Sequence, residues 1–382
     1  MVADVVTVPN PDLAVVADNK ANWNLPDRRR HGFHNLHLLA RYAMSFRAAR
    51  VMTLEKRMDL RIPDMDEVRR LTSLPWFSAM VVIRGQHVLF ERYAADFGPD
   101  RPHNVQSISK MTMNLAIGRL VEDGRLELTR KVADYLPEVG SGYATATVQQ
   151  VLNMDVANDY TEDFADPDST YYRHEEAMGW RLPLNPAREA TQTGFVTGIA
   201  SEDTTNRLPH IQYKDANTVV LGWIVERVGG RPLRAVLADV ADAAGIEGVF
   251  HMTTDREGFP TLEGGLCVTA RDLARFGAIF VRRGQGVDGR MIGGERFIEE
   301  TLRLGVPLAP PREWIRYSNQ ANTTGRWLGH GGYGGQYLLA DLTSGVVGVF
   351  LSVVEDKDGY PQAYYPPIIK LLAAIAELDF DG

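Results

Sequence analysis

The run NVQSISKMTMNLAIGRLVEDG, residues 104–124, holds a serine and a lysine three positions apart, Ser107 and Lys110. On a helix, positions i and i+3 share a face. Ser107 Oγ and Lys110 Nζ therefore come within hydrogen-bond reach. Met111, Met113, Leu115, Ala116, Ile117, Leu120 and Val121 cover most of the helix circumference. A helix apolar nearly all round belongs in a core, and Gly124 supplies its left-handed stop. An ammonium in such a place is costly unless it is paired or put to use. The use that fits is nucleophilic catalysis, with Lys110 accepting the proton of Ser107. The helix N-terminus stabilises a forming alkoxide, and burial favours an uncharged amine. Ser109 points about 100° away and is the weaker nucleophile. The alternative for this motif alone is a serine capping the helix beside a snorkelling lysine.

Two further stretches bear on the choice. In HIQYKDANTVVLGWIVERVGG, residues 210–230, Tyr213 precedes a helix in the loop that Asp215 would cap. In WLGHGGYGGQYLLAD, residues 327–341, a glycine-rich segment runs into a strand, so that its backbone approaches a ligand closely. Tyr317 competes with Tyr213, since Tyr317-Ser318-Asn319 is a literal Tyr-x-Asn. It lies only 13 residues before His330 and no helical stripe follows it. Gly329, Gly331 and Gly334 match G-x-G-x-x-G, yet the strand follows them instead of preceding them, which argues against a dinucleotide site. No G-x-S-x-G elbow is present. His31, His34 and His37 stand at helical spacing, but no cysteine or carboxylate pattern joins them. They read as a solvated or pocket-rim helix, with no metal implied. Cys267, the single cysteine, reads as a small buried apolar residue. Taken alone, Tyr160 is a packed tyrosine and Glu263 a loop carboxylate.

Ser-x-x-Lys, a tyrosine motif, then His-x-Gly before a strand resembles the order of motifs in serine β-lactamases, penicillin-binding proteins and related esterases. IQYKDANTVVLGWIVERVGG, LNMDVANDYTEDFADP and GGLCVTARDLARFG are similar to the 6-aminohexanoate-dimer (nylon-oligomer) hydrolase branch, which has the class C β-lactamase fold. The resemblance runs from about residue 76 to about residue 355. It implies Ser107 as nucleophile, Lys110 as its base, and Tyr213 as the relay of that proton to the leaving group. It implies an oxyanion hole from the backbone N–H groups of Ser107 and Tyr333, just past His330-Gly331-Gly332. Tyr160 matches the tyrosine that closes over the amide in that branch, and Glu263 falls where the branch has a polar pocket residue. There are two departures. His330 replaces the lysine that would hold a β-lactam carboxylate, a change shared by esterase-like members. Asp215 stands where the family has Asn or Ser, putting a carboxylate beside the base; it either caps the following helix or, the favoured reading, turns into the site to bind a cationic group of the substrate, alongside Glu263.

These residues need elements to hold them. SAMVVIRGQHVLFERYA (78–94) reads as a hairpin around Arg84-Gly85-Gln86, and residues 335–355 as another near Thr343-Ser344-Gly345. Residues 105–245 are mostly helical, residues 264–284 are a strand and an N-capped helix, and 366–378 is a terminal amphipathic helix. Residues 1–75 are irregular, with one or two helices around 35–72. The order strands, helices, strands suggests a sheet domain built from both ends of the chain with helices inserted, and the resemblance implies that this is a class C β-lactamase-like α/β fold. Its antiparallel sheet domain comes from 1–104 and 246–382, flanked by helices, and a helical domain over 105–245 carries the nucleophile and tyrosine motifs. Loops 155–205 and 305–326 are expected to shape the pocket between them. The net charge of −8 argues against nucleic acid and anionic membrane as partners. One cysteine and the lack of a secretory signal or an 18-residue apolar run point to the cytoplasm. The expected function is hydrolysis of small linear amides or esters through an acyl-enzyme on Ser107, by a monomer or homodimer that needs no cofactor. Two other readings stay open: a β-lactamase or D-Ala-D-Ala peptidase, and a catalytically inactive binding protein on the same scaffold.

Overall fold

The β-branched and aromatic runs of the chain form two sheets. In the computed structural model, which describes residues 22–163, 166, 168–183, 185, 189–357 and 359–380, thirteen strands occur in chain order. They are β1 (Ala43–Phe46), β2 (Glu55–Lys56), β3 (Phe77–Arg84), β4 (His87–Tyr93), β5 (His103–Asn104), β6 (Phe250–Thr253) and β7 (Leu266–Val268). Then follow β8 (Val306–Pro307), β9 (Arg316–Ser318), β10 (Ala321–Thr323), β11 (Trp327–Gly332), β12 (Gln336–Asp341) and β13 (Val346–Ser352). The large sheet has the order β2-β4-β3-β13-β12-β11-β10-β9-β8. It is antiparallel except at its edge, where β2 pairs parallel to β4.

The centre of this sheet is buried on both faces. Along β3, Ala79, Val81 and Ile83 join one apolar cluster, while Met80 and Val82 join another on the opposite face. Side chains alternate across a strand, so a strand covered on both sides reads as an unbroken apolar run. The Ala270–Val281 helix covers one face and the Tyr365–Ala376 helix the other. Thr269 starts the first of these by accepting a hydrogen bond from Asp272 N at 3.1 Å. Gly277 lets it lie close to the sheet, since a Cβ there would meet Val347 at 2.6 Å.

The second sheet, β1-β6-β7-β5, has four strands, all paired antiparallel. Sequence patterning did not reveal it, because strands of two to four residues are too short to show alternation. Its edge strand β5 leads into the nucleophile segment. That segment is a 3₁₀ turn over Gln106–Lys110 followed by the Met111–Glu122 α-helix, with Gly124 at φ 67° ending it. The Asp215–Gly229 helix packs against it and stops at Gly230, φ 65°. Residues 22–75 are more regular than expected, with helices Arg29–Leu39, Arg61–Asp64 and Asp66–Thr72 beside β1 and β2, while residues 1–21 lie outside the described residues. Among the described residues no helix is long and apolar enough to cross a membrane.

Candidate active site

Ser107 sits where two pieces of backbone are forced together. Val105 N donates to Leu266 O at 2.9 Å, tying the segment to β7. Gln106 then adopts φ 51°, in a region where non-glycine residues cost energy and which clusters at functional sites. Ser109 Oγ donates to Gln106 O at 2.6 Å and accepts from Leu266 N at 3.1 Å, so it is spent on structure. On the other side lies the end of β11. A Cβ on Gly332 would stand 2.4 Å from Val105 O, so only glycine lets this strand approach the nucleophile so closely.

Lys110 is fully buried and its Nζ makes three hydrogen bonds. These go to Ser107 Oγ at 3.1 Å, Asp215 Oδ1 at 2.6 Å and Glu263 O at 2.7 Å. Of the two readings of Asp215, a helix cap or a carboxylate turned into the site, the geometry is that of the second. Lys214 is the N-cap, extended at φ −147° and ψ 116°, and makes no side-chain cap. Asp215 occupies the first helical position, with its carboxylate turned into the site and its N–H donating to the Glu162 carboxyl.

The Tyr213 ring lies beneath the lysine, with Nζ 4.9 Å from its centroid. Its hydroxyl is buried, lies near Ser107 and makes no hydrogen bond of regular geometry. Burial first, then the Asp215 and Glu162 carboxyls, hold this phenol well above its usual range, so it stays protonated. Tyr317 packs edge-on to Tyr213 at 5.9 Å, and its OH lies 3.2 Å from His330 Nε2. His330 Nδ1 donates to Gly331 O at 2.7 Å, which leaves Nε2 to accept from Tyr317. Burial, reinforced by the Lys110 charge, pushes the His330 imidazole down to about 3. The position of the third motif thus carries no charge.

These groups open onto a cavity of about 510 Å³. Ser107, Tyr213, Asp215, His330, Gly331 and Tyr333 line it. The expected loops contribute Glu162, Tyr171, Leu308, Arg312 and Asn322, and two unforeseen segments add Trp23, Asn24, Tyr360 and Gln362. Glu162 and Arg312 are the titratable wall residues that sequence reasoning missed. Glu162 stood two positions from Tyr160 in a stretch already singled out; nothing in the sequence marked Arg312. Burial first, then the Asp215 charge, pushes the Glu162 carboxyl well above its usual range.

Tyr160 and Glu263 lie behind the wall. Tyr160 OH bonds His174 Nδ1 at 3.0 Å, and its carbonyl accepts from Lys214 Nζ at 2.6 Å. His174 Nε2 stands 3.4 Å from Glu263 Oε1. Burial drives His174 down to about 3, leaving it neutral, and raises the Glu263 carboxyl well above its usual range. Glu263 meets Lys110 through its carbonyl, whereas its carboxyl faces the buried histidine. The three histidines of the Arg29–Leu39 helix diverge. His31 meets Asn35, His34 reaches Ser78 Oγ at 3.2 Å, and His37 stacks on His251 at 4.4 Å. Among the described residues no histidine, cysteine and carboxylate cluster could hold a metal. Cys267 is buried in β7, its thiol pushed up to about 12 by burial.

A buried lysine on a serine, a neutral tyrosine beside them and a glycine-lined strand against the serine thus meet at one cavity. The sequence profile of the Beta-lactamase family matches residues 74–365, and the chain belongs to that family. It is 34% identical over 310 residues to a 6-aminohexanoate-dimer hydrolase of Paenarthrobacter ureafaciens, covering 78% of this chain and 77% of the relative. A solved structure from Bacillus anthracis, provisionally assigned as a 6-aminohexanoate-dimer hydrolase, superposes with a TM-score of 0.81 at 20% identity, covering 97% of this chain and 98% of that one. A penicillin-binding protein homologue of Caulobacter crescentus gives a TM-score of 0.60 at 19% identity over 84% of this chain and 98% of its own.

Proposed function

We propose that the protein hydrolyses small linear amides or esters, of the 6-aminohexanoate-dimer type, through an acyl-enzyme on Ser107. One observation carries this reading: the fully buried Lys110 ammonium touches Ser107 Oγ at 3.1 Å at the cavity edge. Asp215 Oδ1, 2.6 Å from Nζ, takes one lysine proton and so frees a lone pair. Ser107 Oγ then attacks the substrate carbonyl as its proton passes to Lys110 Nζ. The oxyanion is met by the backbone N–H groups of Ser107 and Tyr333. Tyr213, held as a neutral phenol, donates its proton to the leaving nitrogen or oxygen and is recharged from Lys110. Water then cleaves the acyl-enzyme by the same steps in reverse. All of these groups belong to the chain.

The test is Ser107→Ala together with labelling by a fluorophosphonate. Wild type labels on Ser107, and the alanine variant loses at least about 10³-fold in kcat with its fold intact. Retention of a tenth of wild-type turnover would sink the assignment. The Lys110–Asp215 pair also favours a second reading, an inactive binding protein whose base is locked as an ion pair. Wild-type protein that resists the fluorophosphonate would establish that reading instead.

A further inference from the structure

We propose that Arg312 anchors an anionic group, a carboxylate, on the leaving part of the substrate. This deepens the hydrolase reading and rests on it for the word leaving. Arg312 lines the same cavity as Ser107 and His330. Its Nε–H is buried and has no hydrogen-bond partner among the described residues. Its Nη2 donates to Tyr360 OH at 3.1 Å, and the guanidinium lies 5.6 Å from the Tyr360 ring centroid and 5.5 Å from that of Tyr365. Burial opposes its charge while Tyr360, Tyr365 and Tyr337 favour it, and among the described residues no ion pair joins it to a carboxylate.

A guanidinium withdrawn from water with an open N–H is costly unless something fills the place. The group that fits the planar fork of donors is a carboxylate. The platform is also rigid relative to the reacting centre. Tyr365 OH donates to Gly332 O at 2.8 Å and accepts from Gly335 N at 3.1 Å, so the ring under Arg312 is fixed to the end of β11. The leaving side follows from the neighbours. The Arg312 charge reaches His330, whose ring lies 6.3 Å from Tyr213, the donor to the leaving group. His330 is neutral, so it does not offer the same anchor.

The experiment has a binding arm and a turnover arm, both on the full chain. Hexanoate and hexanamide are titrated calorimetrically against wild type, Arg312→Gln and Arg312→Lys. Wild type is expected to bind the carboxylate at least about tenfold tighter than the amide, a gap that Gln closes and that Lys narrows, having charge without the fork. Separately, the ratio of kcat/KM for 4-acetoxybenzoate to that for its methyl ester, which differ in a charge on the leaving group, should fall at least about tenfold in Arg312→Gln. Equal wild-type affinity for hexanoate and hexanamide, or an unchanged ratio in Arg312→Gln, would overturn the proposal. If Arg312→Gln does not fold, the wild-type pair and Arg312→Lys decide. Absence of turnover on both esters with the binding gap intact would refute the hydrolase reading and leave the anion site standing.

Discussion

Adding a single methyl group at Gly332 tests the geometry of the centre. A Cβ there would lie 2.4 Å from Val105 O, 3.1 Å from Gln106 Cβ and 3.2 Å from Gln336 Oε1, where ordinary contact begins at 3.4 Å. The gap between β11 and the nucleophile segment must therefore open by about 1 Å. Val105 is held by its bond to Leu266 O and cannot retreat cheaply. The end of β11 must move instead, carrying the Tyr333 N–H away from Ser107. A misplacement of about 1 Å costs roughly 10²-fold in rate, and loss of one oxyanion donor about 10²–10³-fold. Gly332→Ala should thus lose at least about 10²-fold in kcat on p-nitrophenyl butyrate. KM should change far less, because the hole binds the transition state and not the ground state. Gly98→Ala, where a Cβ meets nothing within 4 Å, is the control and should be unaffected. Steady-state kinetics and a thermal melt on the three proteins decide. A Gly332→Ala enzyme within about threefold of wild type would refute the reasoning that β11 supplies the oxyanion hole.

Asp215→Ala should cost about 3–5 kcal/mol in urea unfolding at pH 7, because it strips the carboxylate from a fully buried ammonium; a loss below about 1 kcal/mol would show that the pair is not formed. His103, buried in β5 and pushed down to about 3 by burial, gives a pH signature. The unfolded chain takes up that proton below about 6.5 and the folded chain does not, so this group lowers stability as pH falls from about 6.5 toward 3, by about 1.4 kcal/mol per pH unit. The stability difference between wild type and His103→Phe should therefore shift by about 1.4 kcal/mol in the variant's favour between pH 7.5 and 5.5, and a constant difference would contradict the burial argument.

Much of the centre was legible because its signals are local. Ser107 and Lys110 are three apart, and the β3–β4 and β12–β13 hairpins are marked by their turn residues and apolar runs. Gly124 and Gly230 end their helices at positive φ, as their positions implied. What was hidden depends on distant parts of the chain. The partner of Lys110 is 105 residues away and its carbonyl acceptor 153 away, and no periodicity records such pairings. Asp215 could be read as a helix cap or as a carboxylate in the site awaiting a substrate cation; its carboxylate does turn into the site, but the cation it meets is Lys110 of the chain itself. Tyr317 looked like a decoy for Tyr213 because of its literal Tyr-x-Asn, yet its ring packs on the Tyr213 ring and its OH meets His330, so it lines the centre beside Tyr213 instead of replacing it. The inward walls formed by Trp23 and Tyr360 come from segments whose sequence carries no chemical pattern at all.

The electrostatics of the cavity reduce to few charges. Burial lowers His330 and His174 and raises Glu162, Glu263, Tyr213 and Tyr317, in each case favouring the uncharged form. The charges left among these described groups are the Lys110–Asp215 pair, which is internally balanced, and Arg312, which is not. A neutral substrate would meet the first as the catalytic unit and leave the second unsatisfied. A substrate with a carboxylate beyond its scissile bond satisfies both. Its carbonyl is placed at Ser107, between a base assembled from three separate parts of the chain and a guanidinium whose tyrosine platform is tied to the strand of the oxyanion hole.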